Sequence, residues 1–211
     1  MEDRLRKAAS VIVVRGAPAG PEILVLERGS GSRFLPGYVA FPGGAVDEDD
    51  GALAVTWFGD ELEAPRAAAV RELVEEAGLG LTAGGMIRTV SLDPVHDAPP
   101  PAAALHQIAH WIAPERVPVR FDARFFAVAA PEGLMPTPDG GETAAAWWAS
   151  PRGLLREWET GTRKLYWPTY FTMAQLARCR SPEDVLALRF ETREATDEEE
   201  AELARSVFEQ E

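Results

Sequence analysis

The chain is 211 residues long, 46% hydrophobic and 26% charged, with a formal net charge of −13 at pH 7. That length suits one domain with an elaborated end, or at most two small ones, and is enough to bury a sizeable core. So acidic a chain is not a nucleic-acid binder that coats phosphates with Lys and Arg, but a carboxylate-rich site still takes a phosphorylated small molecule through divalent cations, which invert the local charge.

The first sixteen residues, "MEDRLRKAASVIVVRG", have no signal-peptide pattern, and no apolar run reaches the ~18 residues of a membrane span. A soluble, cytoplasmic protein is the expectation. Residues 8–14 and 22–28 read as strands joined by the turn "GAPAGP". The Gly/Pro-rich stretch 29–44, "GSGSRFLPGYVAFPGG", reads as a structured loop, and the acidic stretch 45–62 as an insertion. A helix is predicted from Pro65 to Ala77, with proline in its first turn and Gly78 as its stop. Its apolar stripe is Val70, Leu73, Val74 and Ala77. Residues 86–95, 107–114, 120–130 and 142–149 read as strands, and the remainder as helical. Ser150-Pro151 and Ser181-Pro182-Glu183-Asp184 look like helix starts, and Thr196 with Glu199 fits a capping box. The expected organisation is a single α/β domain, with a core over about 6–150 and a helical C-terminal extension over about 151–211. The single cysteine, Cys179, excludes an intrachain disulfide and reads as core.

The chemistry concentrates in "AAAVRELVEEAGL", residues 67–79. Glu72, Glu75 and Glu76 stand at i, i+3 and i+4 and share a helix face away from the apolar stripe. Three carboxylates so close repel one another, and a hard divalent cation relieves that repulsion. Arg71 is placed to orient one of them. A solvated helix face with an Arg–Glu pair explains the same residues when the stretch is taken alone.

From Glu63 to Leu79 the chain reads Glu, seven residues, then Arg71-Glu72-Leu73-x-Glu75-Glu76-x-Gly78-Leu79. This resembles the box of the Nudix hydrolases, G-x5-E-x7-R-E-U-x-E-E-x-G-U with U apolar. The opening glycine should stand at position 57, which is Trp57. With Gly44 as the box glycine, eighteen residues instead of five precede Glu63, an insertion of about thirteen. The resemblance implies a Nudix fold, a mixed β-sheet sandwiched between helices. It also implies a metal set of Glu72, Glu75, Glu76 and the Gly44 carbonyl, or less readily that of Gly43, binding Mg²⁺ or Mn²⁺, with Arg71 holding the carboxylates. Glu76, Glu72 or a later acid would be the general base, Glu142 in "PDGGETAAAWW" being the candidate for the later acid.

Upstream, Arg28-x4-Arg33-x3-Gly37-x3-Phe41-Pro42-Gly43-Gly44 is similar to the accessory motif of the coenzyme A diphosphatases of that family, with Leu24-Val25-Leu26 where Leu-Leu-Thr is usual. "RFDARFF" (120–126) and "LYWPTYFTMAQL" (165–176) resemble the branch whose box is split by an insertion. On that likeness Arg28, Arg33 and Arg124, or Arg120, contact substrate, and the turn at Trp167-Pro168-Thr169 lines the pocket; strand and helix packing is the alternative for the last two. The implied activity is metal-dependent hydrolysis of a diphosphate in coenzyme A or acyl-CoA. The alternatives are another nucleoside diphosphate derivative, such as ADP-ribose or a nucleotide sugar, and a catalytically silent nucleotide-binding or partner-binding module. Neither nucleic acid nor membrane is an expected partner, and a homodimer is left open. His96, His106 and His110 lack metal-ligand spacing, and "DEDDG" (47–51) lacks the sixth-position glycine and closing Glu of a calcium loop.

Overall fold

The computed structural model describes residues 5–32, 35–113, 115 and 120–201. In chain order its elements are β1 (Arg6–Ala17), β2 (Gly20–Arg28), β3 (Tyr38–Ala40), β4 (Gly43–Ala45), α1 (Asp50–Phe58), a 3-10 turn (Glu61–Glu63), α2 (Ala64–Ala77), β5 (Leu79–Thr82), β6 (Gly85–Arg88), α3 (Asp93–Asp97), β7 (His106–Ile112), β8 (Phe121–Ala129), β9 (Thr143–Ala149), α4 (Pro151–Glu159), β10 (Lys164–Leu165), α5 (Trp167–Leu176) and α6 (Pro182–Ala187). The strands form one mixed sheet in the order β10-β3-β2-β1-β8-β7, with β4 also on β1 and β9 also on β2; β5 and β6 make a separate hairpin.

β1 organises the sheet. Its side chains alternate between two buried layers, Ala9, Val11 and Val13 on one face and Ile12 and Val14 on the other, the pattern of a strand covered on both sides. One edge runs parallel to β8 from Arg6 to Val14. The other edge is shared: Val14–Ala17 pair with β2, and Ala8–Ser10 with β4. The Phe41–Gly44 loop enters where β1 and β2 part, and Val11 N–H donates to the Pro42 carbonyl at 2.8 Å.

Helices cover both faces, as expected of a mixed sheet between helices. On the first face α2 buries Val70, Leu73, Val74 and Ala77, the predicted stripe, and ends at Gly78 in the left-handed region. On the second face lie α4, α5 and α6. The predicted caps are present: Ser150 accepts from Gly153 N–H, Ser181 and Asp184 form a reciprocal box, and Thr196 and Glu199 form another at a helix that starts at residue 197.

Two expectations change and a third gains detail. The acidic stretch 45–62, read as an insertion, carries α1, which buries Ala54 and Trp57 beside α2 and stops at Gly59. Residues 86–95 are not one strand. β6 ends at Arg88 because Thr89 and Ser91 turn their hydroxyls onto local backbone, and Pro94 opens the short α3. The C-terminal extension is not purely helical, since β10 adds to the sheet beside β3, and Phe190 N–H and the Thr192 hydroxyl bond the Ile108 and His110 carbonyls along the outer edge of β7.

Candidate active site

The carboxylate face of α2 lies against β4. Two glycines make the approach possible. A Cβ on Gly44 would stand 2.2 Å from Glu72 Oε1, and one on Gly43 would stand 2.3 Å from the Ala9 carbonyl oxygen, so neither position has room for a side chain. Gly43 N–H donates to Glu76 Oε2 at 2.8 Å. The "FPGG" loop and the helix, thirty-odd residues apart in sequence, are thus joined at the atoms that carry the chemistry.

Arg71 is the hub. Its Nε and Nη2 donate to the two Asp50 oxygens, each at 3.0 Å, and Nη2 also donates to the Ala45 carbonyl at 3.1 Å. Nη1 donates to Glu72 Oε1 at 2.9 Å and Glu75 Oε2 at 3.0 Å. The five N–H donors of a guanidinium are all engaged. Burial alone would lower the pKa of Arg71, but the Asp50 hydrogen bond and the charges of Glu72, Asp50 and Glu75 hold it above its ordinary value.

The two inner carboxyls differ from a solvated pair. Glu76 is 8% exposed. Burial, opposed by the Gly43 N–H and reinforced by the Glu72 charge, pushes its pKa up to about 8, with Arg28 lowering it and Glu142 raising it further. Burial also raises Glu72, against the pull of Arg71. Glu75 is more open, its side chain 53% exposed. Among the described residues, no three His, Cys, Asp or Glu side chains are gathered in a metal-ligand cluster. Glu75 is turned to Arg71, and Glu76 to Gly43. The donor set still suits a hard cation: the half-buried Glu72 carboxylate and the buried Glu76 carboxyl lie one turn apart, all oxygen donors.

The remaining candidates divide by place. Glu142 is exposed, and its charge reaches Glu76. Its loop is moored to the end of α2 by Thr137 N–H on the Ala77 carbonyl, and Asp139 accepts from the Glu142 and Thr143 amides. Arg28 Nε and Nη2 donate to the Ser32 hydroxyl, and its charge is felt at Glu76. Arg124 sits opposite Ala9, which on its other side pairs with Gly44. It alternates with the second-face residue Phe125 and so shares the first face with Phe126. Arg33 lies outside the described residues. Arg120 donates to the Ala113 carbonyl. Trp167 packs in the second core, across the sheet from the carboxylates, with its indole N–H on the Arg193 carbonyl. The 167–169 turn is therefore packing, not pocket lining. His96 accepts from Trp57 Nε1 at 3.1 Å, and His110 pairs with Asp122.

Sequence reasoning missed Asp50, which is fully buried. Its one legible signal is that Gly44 is followed by five residues and then this acid. Glu63, the acid the spacing selected, pairs instead with Arg66 at the start of α2.

Comparison with known proteins agrees with this geometry. A family profile described as NUDIX domain matches residues 4–167. A Caenorhabditis elegans protein, "Putative nudix hydrolase 7", is 42% identical over 80 residues, which is 38% of this chain and only 24% of that protein's length. Among solved structures, a NUDIX hydrolase from Alicyclobacillus acidocaldarius is 27% identical, covers 90% of this chain and 98% of its own, and superposes with a TM-score of 0.72. The NUDIX domain of Shewanella oneidensis NrtR, solved with ADP ribose, is similar at 12% identity over 82% of this chain and 87% of its own, TM-score 0.53, a likeness of fold.

Proposed function

From the premise that this chain belongs to the Nudix hydrolase family, we propose that it hydrolyses the diphosphate linkage of a nucleoside diphosphate derivative with Mg²⁺ or Mn²⁺, and that its substrate is coenzyme A or an acyl-CoA, yielding 3′,5′-ADP and 4′-phosphopantetheine. The observation that carries the reading is the close seating of Glu72 and the buried Glu76 against Gly43-Gly44: a Cβ on Gly44 would stand 2.2 Å from Glu72 Oε1, and Gly43 N–H donates to Glu76 Oε2 at 2.8 Å.

Glu72, Glu75, Glu76 and the Gly44 carbonyl would hold the divalent ions. When bound, the ions supply charge neutralisation of the diphosphate and activation of water. The chain's own groups do the rest. Arg28, with Arg33 and Arg124, neutralises phosphate oxygens, the task a planar guanidinium performs best. Water adds to one phosphorus, the bridging P–O bond breaks, and the water's proton passes to a carboxylate, for which the exposed Glu142, whose charge is felt at Glu76, is the candidate. Arg71, with every donor committed, fixes Glu72 and Glu75 and does not reach substrate.

The coenzyme A assignment is supported by the loop from Arg28 to Gly44, which delivers both an arginine and the glycines to one place, and by the strands beyond it. Tyr38 pairs with Lys164, and each alternates with a second-face residue, Val39 and Leu165, so both face the carboxylate side of the sheet. An aromatic ring and an ammonium next to Arg28 suit a nucleoside bearing an additional phosphate. On this reading the Nudix box is split by the segment that carries α1.

The test is product analysis by mass spectrometry after incubation with CoA, ADP-ribose, NADH or diadenosine polyphosphates and Mg²⁺ or Mn²⁺, with Glu76→Gln as control. CoA is expected to give the highest kcat/KM. A higher value for ADP-ribose or a nucleotide sugar would replace the substrate assignment. Nucleotide binding by calorimetry with no turnover of any compound would replace the enzyme by a binding module.

A further inference from the structure

Two acids compete for the role of the box acid. Glu63 has the spacing to Arg71 that the sequence motif demands, but its carboxylate is taken by Arg66, whose Nε bonds the Leu105 carbonyl. Every N–H of Arg71 is committed elsewhere. Asp50 meets Arg71 with both oxygens at 3.0 Å, the bidentate geometry in which a guanidinium is most firmly oriented. It is fully buried, and its Oδ2 also accepts the Asp47 N–H at 2.8 Å, which fixes the carboxylate itself. Five residues separate it from Gly44, and twenty separate it from Arg71.

We propose that Asp50, not Glu63, is the positioning acid of this site, and that the extra residues lie between it and α2 as a brace. The brace is α1. Its first residue clamps Arg71. Its last turn buries Trp57, whose indole N–H donates to His96 Nδ1 at 3.1 Å, and Ala54 packs under α2 between them. Both ends of the inserted helix are therefore anchored, one on the catalytic helix and one on α3. With Asp50 holding one side of the guanidinium, Nη1 is left facing Glu72 and Glu75, and their oxygens take a fixed place beside Gly44. Replacing Asp50 with Asn halves the bidentate acceptance and removes the charge that balances Arg71, so Arg71 would draw further on Glu72 and Glu75. Both carboxylates would then offer less to a cation.

The inference rests on the reading of Glu72, Glu75 and Glu76 as metal ligands, and the experiment separates the two. In the full-length protein the Arg71 Nε–H resonance, assigned through its loss in Arg71→Lys, is followed by NMR in wild type, Asp50→Asn and Glu63→Gln. Manganese affinity is measured by calorimetry without substrate, and kcat and KM are measured on the best compound of the panel. Asp50→Asn is expected to shift or broaden the Nε–H signal, to weaken Mn²⁺ binding ~10–100-fold and to lower kcat by a similar factor with little change in KM, the size of effect seen when a ligand's orienting partner is removed. Glu63→Gln is expected to leave all three within about twofold. Asp50→Asn added to Arg71→Lys should cost no more than Arg71→Lys alone, since both act through one contact. If Asp50→Asn does not fold, a loss on Glu63→Gln of tenfold or more still overturns the assignment. So would a full, additive loss in the double variant. Absence of Mn²⁺ binding in wild type with an intact Nε–H signal would refute the metal reading and leave the clamp standing.

Discussion

Glu76 is the residue at which structure makes the most quantitative demand. Its carboxyl titrates near 8 in the folded, metal-free protein, against 4.5 in the unfolded chain. Between those values the folded state holds a proton that the unfolded state has released, so stability falls as pH rises across that window. Below pH 4.5 both states are protonated and nothing is lost. Above pH 8 the full cost is present, about three and a half units at ~1.36 kcal/mol each, or about 5 kcal/mol. Glu76→Gln removes the charge while its amide oxygen still accepts the Gly43 N–H. The metal-free variant should therefore match wild type in melting temperature near pH 4.5 and exceed it progressively toward pH 9, by ~10 °C or more at ~2–4 °C per kcal/mol for a chain of this size. Mn²⁺ should close the gap at high pH by stabilising wild type alone. At pH 6–7, ion binding measured in buffers of different ionisation enthalpy should release about one proton from Glu76. Melting curves for wild type and Glu76→Gln that stay parallel from pH 4.5 to 9 would refute the argument, because the carboxyl would then be ionised in both states at an ordinary pKa.

Three further outcomes follow from geometry. Gly44→Ala sets a methyl 2.2 Å from Glu72 Oε1, and because that atom is the end of a flexible side chain, the carboxylate moves while the fold stays. Turnover should drop ~100-fold, the scale of a 1 Å misplacement, with the melting temperature within a few degrees of wild type. Arg28→Ala should raise KM for phosphorylated substrates more than it lowers kcat, and raise the Glu76 pKa by removing a cation that favours the carboxylate, both readable from the pH profile of kcat/KM. Leu73→Ala, at a site 1% exposed beneath the carboxylate face, should cost ~2–5 kcal/mol in urea denaturation.

The parts of this fold that were legible in the sequence are those in which a local rule and the tertiary structure agree. The stripe of α2, its glycine stop, and the capping pairs at Ser150, Ser181 and Thr196 each involve residues within one or two turns of one another, and each is present. β1 and β2 were legible as short apolar runs bounded by a Gly/Pro turn, the signature of strands buried on both faces, and β8 by Phe121, Ala123 and Phe125 alternating with Asp122 and Arg124. The hairpin of β5 and β6 was not, since four-residue strands give too few alternations to register, and neither was the side of the sheet on which Trp167 packs. Nothing local distinguishes an aromatic turn beside a site from one behind it. Arg71, Glu72, Glu75 and Glu76 could be named in advance because helical spacing puts the three glutamates on one face with Arg71 four before Glu75, and the resemblance to the Nudix box distinguished that face from an ordinary solvated one.

Asp50 shows why a spacing motif fails where the chain has grown. A motif counts residues, but the physical requirement is an acceptor on the far side of Arg71. In an uninterrupted loop, count and place coincide. Here α1 and a 3-10 turn intervene, and the count from Arg71 arrives at Glu63, which sits before the first turn of α2 and pairs with Arg66. The count from Gly44 arrives at Asp50. That count holds because residues 45–49 are a tight connection between β4 and α1, pinned by Val46 N–H on the Lys7 carbonyl and by Asp47 N–H on Asp50 itself. Spacing is conserved by geometry on the side of an insertion where the backbone is still tied down, and becomes coincidence on the other. An aspartate suffices at this position, because at the start of α1 its short side chain already meets Arg71 with both oxygens, each at 3.0 Å.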